Sequence, residues 1–212
     1  MGALGEVAIV ATGVANIASV AACFCRLGVR ARLTRDPNEI VSARALVLPG
    51  VGSFDAGMAA LRAARLVAPV RSCVQRGAPT LAICLGMQML CEESDEAPGV
   101  AGVGAIPGAL TRFPAAVCTP LIGWRRIELE DDERETGDMR RGDAYFSHSY
   151  RLAQAPSGWR AAWASHGGRF VAALEREAVL ACQFHPELSS KYGQNLVGRW
   201  LQRAGYQQEA AT

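Results

Sequence analysis

The chain has 212 residues, 50% hydrophobic and 20% charged, a balance that fits one soluble globular domain. A formal net charge of +2 supplies no basic stripe for nucleic acid, Met1–Val10 lacks the features of a signal peptide, and no apolar run reaches the roughly 20 residues that span a bilayer. Seven cysteines, an odd number, are scattered without a CxxC pair; they indicate neither a disulfide framework nor a zinc site and fit reduced thiols in a cytoplasm.

The first half alternates strand and helix signals. Glu6–Ala11 reads as a strand, and Asn16–Leu27 carries apolar residues at helical spacing before Gly28, a helix-ending residue. Val29–Leu33 and Ala45–Leu48 are the next strands, the latter closed by Pro49-Gly50. Ala56–Gly77 reads as helical with a break near Pro69, Thr80–Ile83 as a strand, and Gly86–Glu93 as a helix. Repeated β-α units with near-continuous apolar strands predict a parallel sheet covered on both faces.

The second half strings strand-like segments together: Leu121–Leu129, Ala144–Tyr150, Arg160–Ser165, Phe170–Leu174 and Val179–Gln183, with Ser189–Arg203 as a closing helix. These predict antiparallel additions to the sheet. The acidic run Glu128–Asp138 reads as a solvated loop, with an acidic docking surface as the alternative.

In open α/β sheets, sites lie beyond the carboxyl ends of the strands. Three unusual segments stand there: "PGVGSF" (Pro49–Phe54), Cys84 ahead of a helix, and "HPE" (His185–Glu187). A thiol needs a base to become a nucleophile near neutral pH, and a histidine base benefits from a carboxylate that fixes its tautomer. Of His148, His166 and His185, only His185 has a carboxylate two residues on, Glu187. If that segment is extended, both side chains share one face. The dinucleotide pattern GxGxxG fails at Gly50–Gly52, where Asp55 replaces the third glycine, and in Gly99–Gly108, where Pro107 does. Glycines 50 and 52 instead suit either an ordinary turn or a mobile backbone that aims an N–H at a developing oxyanion, with Leu85 N–H as a second donor. No metal or cofactor is expected. Cys23 and Cys25 lie on a predicted helix, where i and i+2 diverge, and His166 stands alone.

The segments "PGVGSF", "AICLGMQML" and "QFHPELSSKYG" resemble the class I glutamine amidotransferases, and "CEESDEAPGVAGVGAIPG", "IGW" (Ile122–Trp124) and "YFSHSY" (Tyr145–Tyr150) resemble the glutaminase subunits of imidazole glycerol phosphate synthases. The resemblance covers nearly the whole chain. It implies a flavodoxin-like open sheet with helices on both faces and a Cys84–His185–Glu187 triad. It also implies an oxyanion hole from Leu85 N–H and the peptide of Val51 and Gly52. Gln88, Glu96, His148, Ser149 and Tyr150 match positions that hold glutamine. It further implies a separate (β/α)₈ synthase subunit that takes up the ammonia, docked at a face including Asn16, Trp124, Arg125, Tyr145 and Leu188. Ala15, Ala82, Arg125, Ser147 and Leu188 depart from the family pattern. A different ammonia-accepting synthase, or a stand-alone γ-glutamyl hydrolase, are the alternatives on the same scaffold.

Overall fold

A computed structural model describes residues 5–13, 16–130 and 137–206. Ala15 and residues 131–136 of the acidic run lie outside them. Among the described residues, strands β1 (Glu6–Val10), β2 (Arg30–Thr34), β3 (Leu46–Gly50), β4 (Thr80–Cys84) and β12 (Val179–Cys182) pair in parallel in the order β2-β1-β3-β4-β12. This is the 2-1-3-4-5 order of flavodoxin-like sheets. Beyond β12 the sheet continues antiparallel through β11 (Arg169–Arg176), β10 (Arg160–Ser165), β7 (Leu121–Leu129) and β8 (Gly142–His148). The fold class expected from the sequence is the one observed.

Side chains of a strand alternate between faces, and here both faces are apolar. Val7 and Ile9 join one buried cluster, with Phe24 of α1 (Ile17–Arg26) and Leu196 and Trp200 of α6 (Ser190–Arg203). Ala8 and Val10 join the other, with Ile40 of α2 (Pro37–Ser42), Met58 of α3 (Phe54–Ala63), Val70 of α4 (Val67–Gln75) and Met89 of α5 (Leu85–Leu90). Two cores on one sheet explain why the parallel strands read as unbroken apolar runs.

Several boundaries differ from the sequence reading. The helical break falls at Arg65, which takes φ 59°, and not at Pro69. Pro69 is the third residue of α4, in the first turn, where an amide N–H has no intrahelical acceptor to lose. Helix α2 was not expected, although Asp36 caps it by accepting from Asn38 N–H at 2.8 Å and Pro37 opens it. Ala144–Tyr150 splits: β8 ends at His148 and Tyr150 begins β9 (Tyr150–Leu152). Strand β9 pairs with β6 (Ala109–Arg112), which pairs with β5 (Glu93–Ser94), in a small separate sheet that the sequence did not announce. Pro186–Leu188 is a 3₁₀ turn and not the extended segment that would align His185 with Glu187.

Helix α5 begins directly at the end of β4 and presses against β3. A Cβ on Gly86 would lie 1.8 Å from the Leu48 carbonyl oxygen. That oxygen belongs to the sheet backbone and cannot step aside. Gly86→Ala is therefore expected to destabilise the fold by about 3 kcal/mol, at the upper end for overpacking, and to lower Tm by roughly 10 °C. A thermal melt followed by circular dichroism checks this; a Tm within a degree of the parent contradicts the packing described.

Candidate active site

The parallel register sets the carboxyl ends of β3, β4 and β12 side by side: Gly50 lies opposite Cys84, and Cys182 opposite Ile83. The chain leaving each of these strands carries one of the three segments singled out in the sequence. Cys84 itself sits at φ 52°, ψ −110°, a conformation that costs a non-glycine residue about 1–3 kcal/mol. Two glycines hold it there. Gly86 lets α5 touch the Leu48 carbonyl, and Gly50 lies where a Cβ would be 2.9 Å from Leu85 Cβ. The elbow thus lifts a thiol off the end of a buried strand.

His185 continues the chain beyond β12. Its amide N–H donates to Tyr145 O at 2.9 Å, and its carbonyl accepts from Ser189 Oγ at 2.6 Å. Ser189 Oγ in turn accepts from Tyr145 N–H at 3.0 Å. This closed circuit pins the His185 backbone to β8. The 3₁₀ turn at Pro186–Leu188 brings the Glu187 carboxylate back to the ring, with Nδ1 2.8 Å from Oε1. The contact anticipated between these two side chains is present, made by a turn rather than by an extended strand. With Nδ1 on the carboxylate, Nε2 is the nitrogen left to face Cys84, whose sulfur interacts electrostatically with the ring. Burial alone would lower the His185 pKa. The thiol and the Glu187 carboxylate outweigh burial and push it up to about 10.

Other residues named from the sequence gather nearby. Gln88 is buried on α5, and its Nε2 donates to Tyr150 O at 3.1 Å and to Gln183 Oε1 at 3.0 Å. Glu96 Oε2 accepts from Phe54 N–H at 2.9 Å, which ties it to the start of α3 just after the Gly50–Gly52 loop. Gly52 takes φ 99°, and Val51 beside it is exposed. Ser149 O accepts from Phe113 N–H at 3.1 Å, bringing β6 up to the junction of β8 and β9. The small sheet therefore brings Tyr150 and the segment bearing Glu96 to the same end of the molecule. The His148 ring packs against Phe113, Phe146 and Phe170 and donates from Nδ1 to Tyr150 O at 2.8 Å. Burial pushes its pKa down to about 4, so it is neutral at neutral pH.

Gln183 is the site residue that the sequence reading passed over. Its Nε2 lies 3.9 Å from Cys84 Sγ. The signal was available: Gln183 precedes His185 by two positions in a strand-like segment, so both project to one face.

The residues assigned to a docking face form a surface of mixed character. On β7, Ile122 is 60% and Trp124 48% exposed, and Trp124 stands opposite Tyr145, with ring centroids 6.1 Å apart. Leu188, in the turn after His185, is also exposed. Arg125 donates to the Trp124 carbonyl oxygen at 2.8 Å and lies 3.4 Å from His166 Nδ1. Asn16 caps α1, accepting from Ser19 N–H at 3.3 Å. Among the described residues, no cluster of His, Cys, Asp and Glu is placed to hold a metal ion, and no helix is long and apolar enough to cross a membrane.

Comparison with known proteins agrees with this geometry. The family model of class I glutamine amidotransferases matches residues 9–201. The chain is 36% identical over 207 residues to the imidazole glycerol phosphate synthase subunit HisH of Moorella thermoacetica, covering 94% of this chain and 97% of that protein. It is 37% identical over 187 residues to HisH of Streptococcus gordonii, covering 87% and 90% of the two chains. It is 36% identical over 196 residues to HisH of Methanothermobacter thermautotrophicus, covering 92% and 98%. A solved glutamine amidotransferase superposes with a TM-score of 0.75 at 21% identity, covering 95% of this chain and 100% of that one. At that identity the superposition speaks to the fold. The match along most of the length and the relatives that share more than a third of their residues lead to one conclusion: the chain belongs to the class I glutamine amidotransferases.

Proposed function

We propose that this chain is the glutaminase subunit of an imidazole glycerol phosphate synthase, hydrolysing glutamine and passing ammonia to a separate (β/α)₈ subunit. What supports the chemistry is the Cys84 thiol on a strained elbow together with the His185–Glu187 pair on a pinned turn. The relatives named HisH support the pathway.

In this reading the Cys84 sulfur attacks the side-chain amide carbon of glutamine. The carbonyl π electrons move onto oxygen, and Leu85 N–H and a peptide N–H of Val51–Gly52 stabilise that oxyanion. His185 donates its proton to the departing nitrogen, so ammonia leaves and a thioester remains. Water then attacks the thioester with His185 as base, and glutamate is released with the thiol restored. Glu187 holds the imidazole in the tautomer that presents Nε2 and stabilises its charged form. Glu96 suits glutamine's ammonium by charge, and Gln88, His148, Ser149 and Tyr150 complete the pocket that holds its amino-acid end.

Ammonia released to water at neutral pH is mostly protonated and no longer a nucleophile, so the product must pass directly to its acceptor. The exposed Ile122, Trp124 and Leu188 lie near the site: Trp124 packs on Tyr145, whose carbonyl holds His185, and Leu188 closes the turn that His185 opens. An apolar patch of this kind fits a partner surface better than a stand-alone hydrolase. In the acceptor subunit the ammonia completes imidazole glycerol phosphate and releases an aminoimidazole carboxamide ribotide. The compartment in this reading is the cytoplasm and the assembly a heterodimer.

Two sets of measurements test this, one on the triad and one on the partner. Cys84→Ala is expected to abolish glutamine-dependent synthesis by the complex while synthesis from added ammonia persists. In the same variant the His185 ring, followed by NMR, titrates with a midpoint lower by about one unit or more, because one of the groups that holds its proton is gone. Retained glutamine-dependent synthesis, or an unmoved midpoint, overturns the triad. Second, glutaminase turnover by the isolated chain is expected to rise at least tenfold when the synthase barrel of the same organism and its nucleotide substrate are added. Trp124→Asp is expected to weaken that association about 30-fold, the loss typical of a central aromatic contact. Full turnover without any partner points instead to a stand-alone hydrolase.

A further inference from the structure

Cys84 Sγ lies 3.9 Å from the Ser147 carbonyl oxygen, a partner for the thiol and not for the thiolate; the thiolate needs donors, and the mechanism above gives it only His185. The second donor is not among the residues used so far. Gln183 is fully buried, at 0% exposure, and its Nε2 lies 3.9 Å from Cys84 Sγ. Which end of an amide faces a neighbour is settled by its hydrogen-bond network, and here the network has a fixed origin. Tyr150 O is a backbone carbonyl and can only accept. Gln88 therefore turns its NH₂ toward it, at 3.1 Å. The same NH₂ has a second hydrogen, which goes to the Gln183 side chain at 3.0 Å. Gln183 must then present its oxygen to Gln88, and its own NH₂ is left facing the sulfur. Its backbone is anchored too, with Gln183 N–H donating to Ala172 O at 2.8 Å. No rotation of this amide satisfies Gln88 and also turns the oxygen to Cys84.

We infer that Gln183 is a further catalytic residue, whose amide N–H hydrogen-bonds the Cys84 sulfur and stabilises it as the thiolate that attacks the substrate. This deepens the proposed function and rests on Cys84 being its nucleophile. Among the described residues Gln183 Nε2 has no other acceptor, and a hydrogen bond to a charged acceptor is about twice as strong as one to a neutral acceptor. The bond therefore favours the thiolate over the thiol. The chain Tyr150–Gln88–Gln183–Cys84 also links a residue proposed to hold glutamine to the atom that attacks it. The other titratable groups at this site are His185, with Glu187 behind it, and His148, neutral through burial. Cys182 and Cys23 near Glu187 are kept as thiols by burial.

The test is the rate at which iodoacetamide alkylates Cys84 as a function of pH, read on the Cys84 peptide by mass spectrometry because Cys25 and Cys118 are exposed and react as well. Two variants are compared with the parent. Gln183→Leu removes the donor at similar size. Gln183→Glu keeps the size and the acceptor for Gln88 but sets a carboxylate against the sulfur. The expected result is a higher pH midpoint of alkylation in both, larger in Gln183→Glu, with the high-pH plateau rate retained. At neutral pH the rate falls about tenfold in Gln183→Leu, and kcat for glutamine falls more than KM changes. A residue that merely fills the core moves the melting temperature and leaves the midpoint alone. Unmoved midpoints, in either variant that melts as a folded protein, overturn the inference while leaving the triad standing. A Cys84 that resists alkylation in the parent overturns the nucleophile reading itself.

Discussion

The structure turns on the close contact between α5 and the third strand. Because Gly86 has no side chain, the first turn of α5 lies against the Leu48 carbonyl, and the chain between β4 and that turn has one residue in which to reverse. Cys84 absorbs the whole change at a positive φ. The strain is local, of order 1–3 kcal/mol, and is held by burial on both sides: Leu81 and Ile83 in one core, Ala82 and Leu85 in the other. The Cys84 thiol is aimed by sheet packing, so its position follows that of the sheet.

His185 is aimed by a different device. Past Cys182 one bond to β11 remains, from Gln183 N–H to Ala172 O at 2.8 Å, and His185 is then caught by β8 through Tyr145 and by Ser189. The antiparallel half of the sheet thus supplies the second coordinate of the site. A buried imidazole beside a buried carboxylate is costly unless both find partners. Here the cost is offset because one ring nitrogen is bonded to Glu187 and the Cys84 sulfur also favours the charged ring. Burial works to strip the imidazole of its proton, and the neighbouring thiol and carboxylate outweigh it.

Much of this was readable in the sequence, and the part that was not has physical causes. The parallel strands were legible because each is apolar on both faces, as Val7–Val10 and Leu81–Ile83 show. The three segments of the site were legible because each follows such a strand. The small sheet was not: β5 has two residues and β9 three, too few for a period to register. The break between α3 and α4 was misplaced because Pro69 looked like a breaker, whereas Arg65, with nothing unusual in its side chain, carries the reversal. The turn at Pro186–Leu188 was missed because contact between residues two apart arises in a strand or in a tight turn alike. Gln183 was missed for a plainer reason. A buried amide reveals its orientation only through its neighbours, and those neighbours, Gln88 and the Tyr150 carbonyl, lie 95 and about 30 positions away in sequence.

The same arrangement ties the proposed docking face to the proposed catalytic residues. Tyr145 uses its carbonyl to hold His185, its amide to hold Ser189, and its ring to support Trp124. Leu188 closes the turn that begins at His185, with its N–H on the His185 carbonyl at 3.1 Å. A body pressing on Trp124 or Leu188 therefore pushes on the circuit that sets the imidazole, with no intervening layer to absorb the displacement. Gly52, at φ 99° beside the exposed Val51, lies in the proposed oxyanion hole, and a glycine there permits backbone conformations that other residues rarely take. In the proposed function this division suits turnover that waits for an acceptor: the thiol and imidazole are held by the sheet, and the stabilisation of the charge they create is left for the partner to complete.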